Sequence, residues 1–459
     1  MTGRNSTLLT WMLFIWLYCS ITLFLGALAF NCSSFVIYSP AGADLLRKNC
    51  PVITGHVAIG PLNDNSTTQH INLDGVEVIE GTLGGYWTSI YDTLDTQPYF
   101  TLSSSTLTEV GAIEFGSSPT KLQNLTLPNL KTVDTGFSLG HDAPDMTYLD
   151  IANLESVSYF TLSAPNITTF RHKSLRNATS VQVYATKIDS LDILSDSRLN
   201  LSAVYISGPL PNLNSLTFGF LYVDDFSIYA NSSVTLGSPS ATNMTIGTLS
   251  LAGGVSDLKR SPKLASLKAD SLLLSSDISI PHLEIPFDDL RYLKLEQFRG
   301  THPVQDITLP PQAVNWTGGF DVQITGPQNL NLTSMYRTND QNKRVQTWYW
   351  PTNISSISIS GCLISNAFFD TFVAQQNSSL NSTPPPSVLT SFSVYPSKNS
   401  TDFNCAPFQE LLDKGRLLGY KSNLMCSNST KSSGSTLIDT PSPLRLAGVA
   451  ALGAAMWMV

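Results

Sequence analysis

The chain has 459 residues and a net charge of -8, and only 13% of its residues are charged. Basic residues occur singly or in isolated pairs such as Lys259 and Arg260, so the sequence lacks the basic patch of a nucleic-acid-binding protein, and no nucleic-acid partner is expected. The six histidines are scattered, and we find no HExxH, CxxC, GxGxxG or phosphate-loop motif, so no metal or other cofactor is predicted.

Residues 1–29 are predicted to be a secretory signal peptide. Arg4 precedes an apolar run over residues 11–28, and Ala27 and Ala29 supply the small residues of a cleavage site, which we place after Ala29. The run is also long enough to be an uncleaved membrane anchor, and this is the alternative.

Cleavage of the leader would leave five cysteines, four of which lie near the ends of the mature chain. Because a secreted protein folds in an oxidising compartment, we expect Cys32 to pair with Cys50 and Cys405 with Cys426. Residues 30–59, with a strand over 35–38 and a helix over 43–48, would then be an N-terminal cap. Residues 403–426, with a helix over 407–413, would be the C-terminal cap.

The repeat that defines the fold lies in residues 121–162. Two copies of one apolar pattern follow each other there at an offset of 24 residues. The first copy consists of Leu122, Leu125, Leu127, Leu130 and Val133, and the second of Met146, Leu149, Ile151, Leu154 and Val157. A period of this length with an L-x-x-L-x-L core is typical of a solenoid, and the spacing favours strands over helices.

Looser copies of the pattern recur as far as residue 394, so residues 30–426 are predicted to form one mainly β solenoid. Cys362 occupies an apolar position in the copy that begins at Ile354. We therefore predict a buried free thiol, with a reactive or intermolecular cysteine as the alternative. The polar residues 231–245 and 375–387 are expected to be loops.

Two insertions rich in aromatic residues interrupt the repeat. They contain Tyr86 and Trp87 in the first, and Trp348, Tyr349 and Trp350 in the second. Because Tyr and Trp offer flat apolar faces with polar edges, these five residues are candidates for contact with a glycan or a partner protein. The alternative is that they pack against the protein and anchor their own loops.

The C-terminal residues carry the pattern of a glycosylphosphatidylinositol (GPI) attachment signal. Residues 427–443 form a Ser/Thr-rich stalk, with Ser433 (or Gly434) as the predicted attachment residue, and residues 444–459 form an apolar tail that attachment would remove. A tail-anchored transmembrane helix is the alternative, but it requires about 20 apolar residues and this run is shorter.

The sequence contains fifteen N-x-S/T sites outside the leader, and in an exported chain each is a candidate for N-glycosylation. None takes an apolar position of the repeat, although a chain rich in Ser and Thr also generates such sites by chance. They are Asn31, Asn65, Asn124, Asn166, Asn177, Asn200, Asn231, Asn243, Asn315, Asn331, Asn353, Asn377, Asn381, Asn399 and Asn428.

Two acidic pairs are candidates for catalytic groups: Asp224 with Asp225, and Asp288 with Asp289. Extracellular β-solenoids include polysaccharide hydrolases that use clustered aspartates as acid and base. Those enzymes also carry a Gly-His-Gly and an Arg-Ile-Lys segment, and this chain has neither. We therefore interpret both pairs as turn residues and predict no catalytic residue.

The caps and the repeat resemble a known family. The segments that carry the resemblance are CPVITGHVAI from Cys50, LTEVGAIEF from Leu107, the repeat from Leu122, and FNCAPF from Phe403 with Gly415, Gly419 and Cys426. Together they resemble the fungal GPI-anchored cell-wall organisation proteins of the extracellular-mutant and sporulation-specific type. The resemblance implies a right-handed β-solenoid of receptor L-domain or leucine-rich-repeat type, without catalytic residues.

The sequence thus predicts a non-enzymatic glycoprotein at the outer leaflet of the plasma membrane or in the cell wall, where it contributes to wall organisation and integrity. Its expected partners are the membrane, through the GPI lipid, and cell-wall glucan or wall proteins. The alternative is a surface ligand-binding or adhesion protein that recognises a glycan or a protein through the aromatic insertions.

Overall fold

The structure is a computed structural model that describes residues 31–428 with internal gaps. The longer gaps are residues 63–67, 86–97, 116–120, 141–144, 209–214, 297–303 and 379–388; shorter ones lie within 186–197 and 305–349 and at 276 and 401. The predicted leader, the attachment residue Ser433 (or Gly434) and the apolar tail lie outside the described residues.

The described chain forms a parallel β-solenoid of about 10 turns, which confirms the predicted mainly β solenoid. One long sheet runs along it, and each strand pairs in parallel with the equivalent strand of the next turn. The strands of this main sheet are β1 (Phe35–Ile37), β2 (Val52–Ile53), β3 (Val57–Ile59), β5 (Val78–Gly85), β7 (Glu109–Glu114), β9 (Thr132–Leu139), β11 (Ser156–Ser163), β13 (Ser180–Tyr184), β14 (Asn200–Ser207), β16 (Tyr222–Tyr229), β18 (Asn243–Ala252), β20 (Ser266–Leu274), β22 (Asp289–Glu296), β24 (Phe320–Thr325), β28 (Ile354–Ser360), β30 (Leu389–Tyr395) and β31 (Leu418–Cys426).

Shorter strands form the other faces of the turns. A five-stranded sheet contains β4 (Gln69–Asn72), β6 (Phe100–Ser103), β8 (Leu122–Thr126), β10 (Tyr148–Asp150) and β12 (Thr169–Arg171). Smaller groups are β15 (Ser215–Phe218), β17 (Ser233–Leu236) and β19 (Asp257–Arg260); β21 (His282–Glu284) and β23 (Asp306–Thr308); and β25 (Asn331–Leu332) and β29 (Leu363–Ile364). An antiparallel pair, β26 (Arg337–Thr338) and β27 (Arg344–Val345), is the exception among the described pairings.

The strand register confirms the 24-residue offset. Leu149 pairs with Leu125 between β10 and β8, and Val157 pairs with Val133 between β11 and β9. All four side chains are fully buried, so the repeated apolar residues stack on one another inside the solenoid.

Two asparagine side chains, 24 residues apart, also form hydrogen bonds to the preceding turn. Asn129 Nδ2 donates to the Ser105 carbonyl at 2.6 Å, and Asn153 Nδ2, 24 residues later, donates to the Pro128 carbonyl at 2.7 Å. Because these carbonyls lie in turns and have no strand partner there, the side chains satisfy backbone groups that the sheets leave open.

Both predicted disulfides are present and close the two caps. Cys32 bonds to Cys50, and Cys405 bonds to Cys426. Helix α1 (Pro40–Asn49) lies in the first loop, where Ser39 caps it through the Gly42 N–H at 3.3 Å and Pro40 takes the first position. Helix α3 (Ala406–Asp413) lies in the second loop and buries Phe408 and Leu411.

Two segments predicted as loops are ordered differently. Residues 231–245 contain β17 and the start of β18. The strand β17 was missed because only two of its residues, Val234 and Leu236, face the core, and so short an alternation is difficult to recognise among polar residues. Helix α2 (Asp370–Asn377), preceded by a 3-10 helix (Asn366–Phe369), extends into the second predicted loop. A further 3-10 helix covers Asp192–Leu194.

None of the helices in the described ranges is long and apolar enough to cross a membrane. The described helices instead lie at the caps and in loops between turns. Each buries only a few side chains: Ala43 and Leu46 in α1, for example, contribute to the closed apolar interior.

We predict that Cys362 resists alkylation in the folded protein. Its side chain is fully buried, and burial raises the pKa of the thiol to about 12, so very little of the reactive thiolate exists at neutral pH. Iodoacetamide followed by mass spectrometry should find Cys362 unmodified in native protein and modified after denaturation. Rapid modification of native protein would contradict the buried position.

We also predict that Asp74 stabilises the fold at neutral pH. Ser105 donates its N–H and its hydroxyl to Asp74 Oδ1 at 2.6 and 2.8 Å, and these bonds, the backbone one first, lower the pKa of the carboxyl. A lowered folded-state pKa gives stability that is present above the unfolded-state pKa of about 4 and is lost as the pH falls through the folded-state value.

Asp74→Asn should therefore lower the free energy of unfolding at neutral pH, with the difference from wild type shrinking below about pH 4. Denaturant titrations across pH measure this. Asp134→Asn is the matched control, since the Asp134 carboxylate is exposed and forms no hydrogen bond within the described ranges, so this substitution should change the free energy of unfolding little. Parallel profiles for both variants would refute the role of Asp74.

Candidate functional site

Of the five aromatic residues predicted to contact a ligand, only Trp350 lies within the described residues. Tyr86, Trp87, Trp348 and Tyr349 lie outside them. Trp350 is fully buried, so the prediction that it contacts a glycan or a partner is wrong, and the packing alternative applies to it.

Trp350 belongs to an aromatic cluster beneath the C-terminal cap. Its ring stacks on Phe369 at 6.0 Å between centroids and meets Phe368 and Phe372 edge-on. Its backbone is held as well, because the Trp350 N–H donates to Gln375 Oε1 and Gln375 Nε2 donates to the Trp350 carbonyl, both at 3.1 Å. These two bonds explain why a glutamine of α2, predicted to lie in a solvated loop, is buried.

The two acidic pairs do not meet in one site. Asp225 lies on β16 and Asp289 on β22. In the main sheet β16 pairs with β18, β18 with β20 and β20 with β22, so the two strands are three strand spacings, or about 14 Å, apart. This separation exceeds the roughly 5 to 9.5 Å between the two carboxyls of a glycosidase site. The two pairs therefore do not combine into a two-carboxylate centre.

Asp288 has a structural role that its neighbours define. Arg260 Nη1 donates to Asp288 Oδ1 at 2.7 Å, and the Leu267 N–H donates to Asp288 Oδ2 at 2.8 Å. Arg260 Nη2 also donates to the carbonyl oxygens of Leu264 and Ala265 at 2.8 and 2.9 Å. The pair thus ties the corners of neighbouring turns together, in agreement with the turn interpretation.

Within the described residues, no group of three or more His, Cys, Asp or Glu side chains could hold a metal ion. A shallow surface depression of about 310 Å³ lies near the N-terminal cap, bordered by His56, Thr82, Gly84 and Glu114. His56 Nδ1 accepts the Thr82 N–H at 2.9 Å, so one ring nitrogen already bonds to the backbone.

The sequon asparagines whose burial is described all reach the surface. Eleven of these twelve are exposed and Asn124 is half-buried. Asn65 and Asn381 lie outside the described residues, as does the side chain of Asn331. The described asparagines are thus sterically compatible with glycan attachment.

A group of exposed tyrosines that was not predicted from the sequence lies on the main sheet. On five consecutive strands, three rows of residues point outward, between inward rows that are buried. The rows are Tyr159, Ser180, Ala203, Asp225 and Thr248; Thr161, Gln182, Tyr205, Ser227 and Ser250; and Ser163, Tyr184, Ser207, Tyr229 and Ala252. We call these fifteen positions the tyrosine face.

Three tyrosines form the centre of this face. Tyr184, Tyr205 and Tyr229 are 41%, 46% and 48% exposed and lie on the successive strands β13, β14 and β16. From strand spacings, the Cα atoms of Tyr184 and Tyr229 are about 10 Å apart, and that of Tyr205 lies about 8 Å from each. The three rings therefore form a triangle on a rigid parallel sheet.

Serines lie low between these rings. Ser207 occupies the position between Tyr184 and Tyr229 in one row and is only 8% exposed, because the two larger side chains flank it. Ser163, on the other side of Tyr184, is 6% exposed, and its Oγ has no hydrogen-bond partner in the described part of the chain. The face thus has raised aromatic rings with hydroxyl groups between them.

The chain turns away sharply at the end of this face. Gly208 follows Ser207 with a φ of +137°, a backbone conformation that favours glycine, and a Cβ there would lie 2.0 Å from the Ala185 carbonyl oxygen. The glycine thus allows the chain to leave the sheet directly after Ser207, and the row from Ser163 to Ala252 lies at the C-terminal ends of the five strands.

A signal for this face exists in the sequence, but it is weak. Tyr184 and Tyr229 each follow an apolar-x-apolar strand, where the alternation assigns them to the outward side. Successive tyrosines of the three are 21 and 24 residues apart in the sequence. These spacings predict that the tyrosines are neighbours in the sheet only if the length of each turn is known. The turns here are irregular, so sequence spacing alone could not align them.

No protein-family model, no curated protein and no solved structure matches the chain. The fold and the arrangement of side chains therefore carry the functional argument.

We predict that Trp350→Ala destabilises the C-terminal cap without acting on a binding surface. Removal of a fully buried tryptophan costs about 3–5 kcal/mol, whereas removal of an exposed side chain usually costs less than about 0.5 kcal/mol. Tyr395→Ala is the matched control, because the Tyr395 side chain is 43% exposed on β30 of the main sheet. Chemical denaturation measures both variants, and equal stabilities would refute the packing role of Trp350.

Proposed function

We propose that this chain is an exported, N-glycosylated and GPI-anchored surface protein that contributes non-catalytically to the organisation and integrity of a fungal cell wall. The observation that carries the proposal is the pair of disulfides, one at each end of the solenoid. Disulfides form and persist in oxidising compartments, so their presence in both caps supports passage through the secretory route.

The surface distribution of the sequons supports the same route. In the described turns, the sequon asparagines lie outside the apolar interior, where attached sugars would meet solvent rather than the core. The setting in a fungal wall rests on the resemblance of the cap and repeat segments, and the membrane attachment rests on the pattern of residues 427–459.

A solenoid is well suited to a structural role of this kind. Each turn contacts mainly its neighbours, so the chain can extend along one axis and present a long surface without a larger globular core. Capped ends keep the apolar faces of the terminal turns from pairing with other chains. A rod of this type can separate, align or bridge components of an extracellular matrix.

The second candidate function is ligand binding or adhesion at the cell surface. The tyrosine face favours it, because exposed aromatic rings grouped on a rigid sheet can contact a ligand with little loss of conformational entropy. Among the predicted insertion residues Trp350 is buried and the other four lie outside the described ones, so the tyrosine face provides the described contact residues of this second candidate.

Treatment of intact cells with phosphatidylinositol-specific phospholipase C tests the anchor. Cleavage of the lipid should release the protein into the medium, and glycosidase treatment of the released protein should lower its apparent mass. If the protein has been transferred covalently to the wall, glucanase rather than the phospholipase should release it. Retention after both treatments, or an intracellular location, would overturn the proposal.

A further inference from the structure

We propose that the tyrosine face binds a neutral polysaccharide chain, with Tyr184, Tyr205 and Tyr229 as the rings against which its sugar units pack. The inference rests on the proposed function outside the cell, since it names a ligand class for that surface. Its evidence, however, is the local chemistry of the main sheet.

The chemistry of the exposed rings suits a sugar. Every large exposed apolar side chain on the fifteen positions is a tyrosine, with a flat apolar face and a polar edge. A sugar ring has the same combination, with C–H groups on one face and hydroxyls around the rim. Stacking can therefore bury the apolar parts of both while the phenol and the sugar hydroxyls remain able to form hydrogen bonds.

The face carries little charge. Asp225 is its single carboxylate and it has no Lys, Arg or His, while the other positions near the rings are Ser, Thr, Gln and Ala. Along the middle row, charge returns beyond the face, at Glu114 on one side and Lys294 on the other. Because the face has no base to pair with an anion and the whole chain has a net charge of -8, it suits an uncharged ligand better than an anionic one.

The face is also periodic. The outward rows run along the solenoid axis with one residue per strand, so successive positions of a row lie about 4.8 Å apart. The strands that carry Tyr159 and Tyr229 are three spacings, or about 14 Å, apart. A linear polymer of repeating sugar units can follow such a row, whereas a globular protein surface rarely has this regularity.

The hydroxyl groups between the rings add a polar component. Ser163 Oγ is buried beside Tyr184 with no partner among the described groups, which is unusual because a buried hydroxyl normally forms a hydrogen bond. The predicted glycan of β14 is attached at Asn200, up to about 16 Å along the strand from Tyr205, so it leaves that ring accessible.

The direct test is a triple variant, Tyr184→Ala with Tyr205→Ala and Tyr229→Ala. The full-length protein is produced in a secreting host, solubilised with detergent and tested for sedimentation with particles of β-glucan or chitin and with immobilised mannan. We expect wild type to bind at least one of these neutral polysaccharides and the triple variant to bind it roughly tenfold more weakly or worse.

A matched triple variant controls for the loss of three exposed tyrosines. Tyr38, Tyr222 and Tyr395 are 43%, 38% and 43% exposed and lie outside the fifteen positions. Their replacement by Ala should leave binding unchanged. Circular dichroism and thermal unfolding of both variants establish that each is folded, and replacement of the three face tyrosines by Phe, which keeps the rings, should retain most of the affinity.

Further outcomes separate the neutral glycan from other occupants. Binding to a neutral polysaccharide should change little with salt, and pectate, an anionic polysaccharide, should bind more weakly. The inference is overturned if wild type binds none of the neutral polysaccharides, or if the face variant binds as wild type does. It is also overturned if the variant loses only self-association, as measured by light scattering. Surface display would still stand on the phospholipase and glucanase results in each of these cases.

Discussion

The fold depends on one constraint: the backbone groups of each turn are satisfied by the next turn. β8, β10 and β12 are three to five residues long, and an isolated turn of such strands could neither complete its hydrogen bonds nor bury its apolar side. Stacking resolves both problems together, because Leu125 and Leu149 come into contact when their strands pair. The same constraint leaves two unfinished ends, and these are where the disulfides and two helices lie.

The caps solve the problem of those ends in two ways. At the N-terminal end, α1 and the Cys32–Cys50 bond cover the first turn. At the C-terminal end, aromatic side chains close the interior. Phe369 contacts Phe392, Phe403 and Phe408, and Trp350 extends the same cluster. The aromatic side chains in this part of the chain thus have a clear structural use, while the tyrosines of the main sheet remain on the outside.

That contrast bears on function. An aromatic residue in a sequence can be interpreted as a contact residue or as part of the core, and composition alone does not separate the two. Burial separates them here: Trp350 is enclosed, and Tyr184, Tyr205 and Tyr229 are exposed on strands whose other faces fill the interior. The parallel register then converts single exposed residues on separate turns into one surface. A rigid sheet holds that surface ready to bind, so the ordering of loops adds little cost.

The sequence by itself determined the mainly β solenoid, the pairing of the four cap cysteines and the burial of Cys362 at an apolar position of the repeat, because a regular apolar period and a cysteine pair near each chain end are local signals. It did not determine the position of Trp350, the helix that contains Gln375 or the tyrosine face. Those depend on which residues irregular turns bring into register. The bulge between Val157 and Tyr159, for example, changes the offset from 24 to 23 within one strand. Only the stacked structure decides which outward residues become neighbours.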